Sequence, residues 1–231
     1  MLEKVLSPTN GVKTDKPRDS VHEPGGRHIV TRRVALTFDM EHPSRSGHDP
    51  DGPRRILDVL KQRNVKATFF IQGRWARTQP VLARRVADEG HLVGCHSHFH
   101  GPLVSFTDDG IRSDLEAATQ AVQETTGVMP RPWFRCPFGS GHDDSRVLSV
   151  IADCGYQNVH WNVEPQDWVE GRTPDEVRSS IVRDIETLEH DAVVLLHTWP
   201  AATVRALSPL VDDLTAAGHE LVRVDELELQ P

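Results

Sequence analysis

Two histidines four residues apart, His96 and His100 in the run Gly94-Cys95-His96-Ser97-His98-Phe99-His100, are the most informative feature of this chain. Neutral imidazoles at i and i+4 point the same way from a helical turn and can grip one divalent ion. Far upstream, an apolar run ends in Thr37-Phe38-Asp39-Met40-Glu41-His42. A carboxylate from such a second strand end would supply a third ligand and leave a position open for water, as catalytic metal sites do. Taken alone, the HxxxH spacing fits a histidine-rich polar loop about equally well. Other reactive residues have to decide.

The elements that would position these residues are legible. Val34 to Phe38, Ala67 to Ile71, Leu92 to Val93, Trp133 to Phe134, Asn158 to Trp161, Val193 to Leu196 and Leu221 to Val224 read as strands. Between them the apolar spacing turns helical, at Ile56, Val59 and Leu60 and at Ile111, Leu115, Ala118 and Val122. It does so again at Val177, Ile181, Ile185 and Leu188, and at Val204, Leu207, Val211 and Leu214. Thr173-Pro174-Asp175-Glu176 reads as a helix start, and Gly155 and Gly218 as helix stops. Strand and helix in alternation imply parallel strands with right-handed crossovers. With no Gly-rich dinucleotide or phosphate loop to see, a closed barrel is favoured over an open doubly wound sheet. Asp39, His96, Arg135 and His197 then fall at or just past strand C-terminal ends, with Asp167 in the loop after another. A parallel barrel gathers those loops over one face.

Composition sets the bounds. A chain of 231 residues with 37% hydrophobic content can bury a sizeable core. Residues 1–28 are polar and without periodicity and read as an extended or partly disordered arm, leaving 29–231 as a single domain. The net charge of −8 argues against a nucleic-acid or anionic-membrane partner. No stretch is long and apolar enough to span a bilayer, and the first residues lack a signal-peptide core, so a cytoplasmic location is expected unless a leader has been trimmed. Cys95, Cys136 and Cys154 are too few and too odd for a disulfide framework. They read as packing residues, with a cysteine nucleophile as the alternative. Oligomeric state is left open.

Five segments in order resemble the motifs of the polysaccharide deacetylase family, also called the NodB-homology domain or carbohydrate esterase family 4. The resemblance runs from about Arg33 to the C-terminus and implies a distorted (β/α)7 barrel. Thr37-Phe38-Asp39-Met40-Glu41 is similar to the family's TFDDG, where the first Asp is the general base and the second a metal ligand. Asp39 matches the base, whereas Met40 replaces the ligand with a thioether, a poor partner for such an ion. Here the chain resembles outlying members that carry the metal carboxylate one residue later, as Asp-x-Asp. That implies Glu41 as third ligand beside His96 and His100, with His42 as a substitute and a metal-free site as the alternative. His96-Ser97-His98-Phe99-His100 matches His-Ser/Thr-x-x-His, with His98 outside the ligand set.

Arg135-Cys136-Pro137-Phe138-Gly139 resembles Arg-x-Pro-aromatic-Gly, whose Arg holds the base carboxylate; Phe138 stands for the commoner Tyr. Glu164-Pro165-Gln166-Asp167-Trp168 partly keeps Asp-x-x-Asp-Trp, which gives Asp167 the orientation of an acid histidine and Trp168 a wall of the pocket. Leu195-Leu196-His197 matches Leu-x-His, with His197 as general acid and Leu195 beside the acetyl methyl; Thr198 replaces the usual Asp. The resemblance implies a zinc-dependent N-deacetylase, cobalt or nickel being possible in place of zinc, acting on an amino-sugar oligomer, polymer or metabolite and releasing acetate. Trp133, Trp161, Trp168 and Trp199 are expected near the mouth, as a sugar platform or as core. A metal-dependent amidohydrolase on a small non-sugar amide and a silent carbohydrate-binding relative remain the alternatives.

Overall fold

A strand buried on both faces still has two sides, and the first strand shows what each is for. In the computed structural model, which describes residues 31–42 and 48–228, β1 spans Arg33–Met40. Val34, Leu36, Phe38 and Met40 face an outer layer of helices and join the main hydrophobic core. Ala35 belongs to a second, inner cluster with Phe70, Val159, Val193 and Val224. Thr37 and Asp39 share that inner side, because side chains alternate along a strand.

The other strands are β2 (Thr68–Ile71), β3 (Leu92–Cys95), β4 (Trp133–Phe134), β5 (Gln157–Asn158), β6 (Ala192–His197) and β7 (Glu220–Val222). Every pairing is parallel, in the order β5-β4-β3-β2-β1-β6. β7 pairs with Arg33 to Ala35 and β2 with Thr37 to Met40, so two short strands share β1. The ring closes at a narrow seam, where Val163 bridges to Val194 and accepts a hydrogen bond from Leu195 N at 2.9 Å. The result is the distorted parallel barrel that the alternation of elements implied. The fifth strand is shorter than expected: its ladder stops at Asn158, and the chain swings across to the β6 seam.

Seven helices cover the outside among the described residues: α1 (Gly52–Gln62), α2 (Gly73–Thr78), α3 (Pro80–Asp88), α4 (Asp108–Thr126), α5 (Ser145–Asp153), α6 (Pro174–Thr187) and α7 (Ala201–Ala216). The start of α6 is a capping box in which Thr173 and Glu176 bond each other's backbone N–H. Gly155 and Gly218, at φ of 80° and 78°, follow the ends of α5 and α7 as expected. The sequence reading gives no helix over α2 or α3, and of α5 only its stop at Gly155. Their signals are short but present: Val147, Val150 and Ile151 keep helical spacing, and Pro80 opens α3. The polar arm expected over residues 1–28 lies outside the described residues. No helix among the described residues is long and apolar enough to cross a membrane.

Gly94, on β3 just before the first histidine, leaves room for an inner side chain. A Cβ there would lie 2.6 Å from Phe70 Cδ1 and 3.2 Å from the Trp133 carbonyl oxygen. Gly94→Ala is expected to destabilise the fold by about 1–3 kcal/mol through overpacking. A fall in the chemical-denaturation midpoint at unchanged slope would show it, and an unchanged midpoint would refute it.

Candidate active site

The strand ends bring three of the expected residues, Asp39, Arg135 and His197, into one place. Asp39 on β1 and His197 on β6 are partners in the parallel register. Arg135 follows β4, and its backbone N donates to Cys95 O at the end of β3. Its side chain is wholly buried and donates from Nη1 to Asp39 Oδ1 (3.0 Å) and Thr37 Oγ1 (2.7 Å), and from Nε to Val159 O (3.1 Å). The guanidinium stacks 4.2 Å from the Phe70 ring centre and 5.4 Å from that of Trp161. Burial pulls the pKa of Arg135 down and the Asp39 charge opposes it.

His96 and His100 also converge, by a different route from the helical turn expected. Residues 96–100 form a loop in which Ser97 and His100 both have φ of 59°. His96 Nδ1 donates to Arg135 O at 2.9 Å, which leaves Nε2 aimed inward, 3.2 Å from His100 Nε2. Glu41, buried just past β1, sets Oε2 against His100 Nε2 and 3.6 Å from His96 Nε2. Its Oε1 accepts from Trp199 Nε1 at 3.1 Å. Strand alternation explains the choice between the neighbouring candidates: Glu41 shares the inner side with Asp39, whereas Met40 is sealed in the outer core. His42 turns away, with Nε2 3.4 Å from Thr78 Oγ1. Burial by itself would raise the Glu41 carboxyl, but His100 and His96 hold it well below the usual range.

Glu41, His96 and His100 thus offer one oxygen and two nitrogens within 4.8 Å of one another, a group that could hold a metal ion. Buried Glu41 Oε2 makes no well-directed hydrogen bond of its own, which fits a donor set built for a cation.

Asp167 accepts from both His197 Nδ1 and His197 backbone N at 2.8 Å, and from Thr203 Oγ1 at 2.5 Å. Burial would lower the His197 pKa, but Asp167 outweighs it, with Glu41 and Asp39 adding to the effect, and carries it to about 9. A cleft of about 280 Å³ opens between these groups, walled by Phe138, Trp161, Trp168, Leu195 and Trp199. Trp133 is not on that wall; it packs against the inner cluster instead. Glu164, whose effect the sequence left undecided, accepts from the indole N–H of Trp161 (3.2 Å) and of Trp168 (3.4 Å). Burial pushes the thiols of Cys95 and Cys136 up to about 12, which suits packing residues and not nucleophiles.

With this geometry in view, comparison with known proteins is direct. Residues 29–159 match the family described as polysaccharide deacetylase. The chain belongs to that family. A chitooligosaccharide deacetylase of Bradyrhizobium sp. (strain ANU 289) is 34% identical over 212 residues, covering 85% of this chain and 91% of the relative. The peptidoglycan-N-acetylmuramic acid deacetylase PdaA of Bacillus subtilis is 32% identical, covering 85% and 71%. Among solved structures, a CE4 family pseudoenzyme from Bacillus anthracis aligns with a TM-score of 0.75 at 28% identity, covering 87% of this chain and 66% of that one. The fold is therefore that of the carbohydrate esterases and deacetylases.

The raised pKa of His197 fixes a pH window. A histidine held above its unfolded value of about 6.5 adds stability that is fully present below that pH and is lost as pH rises through about 9. In metal-free protein, NMR titration should find the imidazole of His197 protonating near pH 9. Asp167→Asn should move that titration downward and remove the stability loss between pH 6.5 and 9. An unshifted titration would refute the coupling.

Proposed function

We propose that this polysaccharide-deacetylase relative is a metal-dependent hydrolase that removes N-acetyl groups from an amino-sugar oligomer or polymer and releases acetate. The observation that carries it is the register pairing of Asp39 with His197 beside the donors of Glu41, His96 and His100. A carboxylate and a hydrogen-bonded imidazole stand on neighbouring strands, with a site for a cation next to them. Zinc suits two imidazoles and a carboxylate best; cobalt or nickel could replace it.

When bound, the ion would supply Lewis acidity, polarising an amide carbonyl and making nearby water easier to deprotonate. Asp39 is placed to take a proton from that water, and Arg135 holds its carboxylate in position. His197 protonates the amide nitrogen as the C–N bond breaks, since an amine leaves poorly as an anion. Asp167 keeps the imidazole in the tautomer and charge state for that task. Trp161, Trp168 and Trp199 offer faces for a sugar ring, and Leu195 a small apolar contact for the acetyl methyl.

A silent carbohydrate-binding role is the second reading. Met40 at the usual ligand position and the likeness to a pseudoenzyme favour it. Against it stands a complete acid–base pair, which binding alone does not require.

The test pairs metal analysis of the purified protein with acetate release from N-acetylglucosamine oligomers. About one metal ion per chain and chelator-sensitive acetate release are expected. His197→Ala should lower kcat by about 10²–10⁴ while metal content stays the same. Bound metal without acetate release would shift the reading to a non-sugar amide. No metal after zinc addition would make the silent role the leading account.

A further inference from the structure

We propose that Asp114, on α4, is a positioning residue for the loop that carries the two histidines: its buried carboxylate fixes the spacing of His96 and His100 and thereby sets affinity for the ion, touching neither ion nor substrate. This rests on the reading that Glu41, His96 and His100 hold a metal.

The loop has no regular structure to hold it, so its backbone groups need individual partners. His96 N donates to Ile71 O at 3.0 Å, and Ser97 O accepts from Gly73 N at 2.9 Å. His100 N donates to Ser97 Oγ at 2.8 Å. Of the three N–H groups between the histidines, those of His98 and Phe99 share one carboxylate. His98 N donates to Asp114 Oδ2 at 2.8 Å and Phe99 N to Asp114 Oδ1 at 3.0 Å.

Asp114 is 3% exposed, in the middle of a helix whose ends are already capped by Thr107 and Gly127. A carboxylate costs free energy to bury and contributes nothing to a helix interior. Its two charge-assisted bonds to a neighbouring loop are what it does there. That loop holds two non-glycine residues at positive φ, a conformation that persists only where its surroundings enforce it. The packing around His98 leaves no slack either. A Cβ on Gly73 would lie 2.5 Å from His98 Nδ1 and 2.9 Å from Ala118 Cα. His98, expected outside the ligand set, is therefore a buried wedge between α2 and α4 and not a surface residue.

Asparagine is nearly the same shape but offers one oxygen, and its amide nitrogen would face the second N–H. Zinc affinity of Asp114→Asn, measured by competition with a chromophoric chelator, is expected to fall about 10- to 100-fold, the range for groups that orient metal ligands. At saturating zinc, kcat should return to within a few-fold of the unaltered protein. Asp114→Ser, too short to reach both N–H groups, carries the same expectation should the first variant not fold. Thr119→Val, on the same helix, is the control: it removes the buried 2.7 Å bond to the Tyr156 hydroxyl and none of the bonds to the loop's backbone. Its zinc affinity should not change whatever it does to thermal stability. An affinity of either Asp114 variant within about threefold of the unaltered protein would overturn the proposal, as would an equal loss in Thr119→Val. An unaltered protein that binds no zinc would instead defeat the metal-site reading itself.

Discussion

The burial of Arg135 is the constraint around which the barrel interior is arranged. A cation without exposed surface must find an anion and fill its remaining donors, or the desolvation cost stands uncompensated. Here the anion is Asp39, the other acceptors are Thr37 and Val159, and the flat faces of Phe70 and Trp161 cover the guanidinium plane, while Nη2 is left without a hydrogen bond. Two of these partners, Asp39 and Trp161, also line the cleft. The Arg135 carbonyl accepts from His96, so one residue orients both the candidate base and a candidate ligand. Such a pair is weak evidence for stability, since apolar residues can often replace it without loss. Its value lies in holding Asp39 at one position on the barrel axis.

A second electrostatic feature follows from the same interior. Neighbouring strands present a carboxylate on one side and, through Asp167, an imidazole with a raised pKa on the other. An imidazole held protonated by Asp167 beside a carboxylate suits the two groups to opposite proton-transfer roles. The aromatic wall above them is itself organised, since Glu164 takes the indole N–H groups of two tryptophans that would otherwise point at solvent or substrate independently.

Much of this was legible in the sequence, and what was missed has physical causes. Strands of alternating or continuous apolar character declared themselves, and Asp39, His96, Arg135 and His197 stood at their ends. Glu41 was a candidate because a thioether at position 40 is chemically unsuited and the sequence resembles family members with the carboxylate one residue later; its place on the inner side beside Asp39 comes from the structure. The loop 96–100 was misread as a helical turn because i, i+4 spacing does not distinguish a helix from a turn built on two left-handed residues. Trp133 was placed at the mouth because strand order was visible but not the side of the strand it faced. Asp114 had no sequence signature at all: an aspartate in a long amphipathic helix reads as solvated, and only the packing of α4 on the loop shows its partner. Glu164 and Trp199 were visible as residues near the site, but the hydrogen bonds that give them a task join positions far apart in the chain or set by a bend in it.

The alternation along β1 carries one more consequence. Asp39 and Glu41 hang from a single strand about 7 Å apart along its axis, two residues in sequence. A shift of that strand by one residue would turn both away and bring Phe38 and Met40 into the interior. The candidate base and the candidate metal ligand would therefore be displaced together by misalignment of the strand. One register, fixed by the pairing of β1 with β2 and β6, thus sets the place of both carboxylates at once.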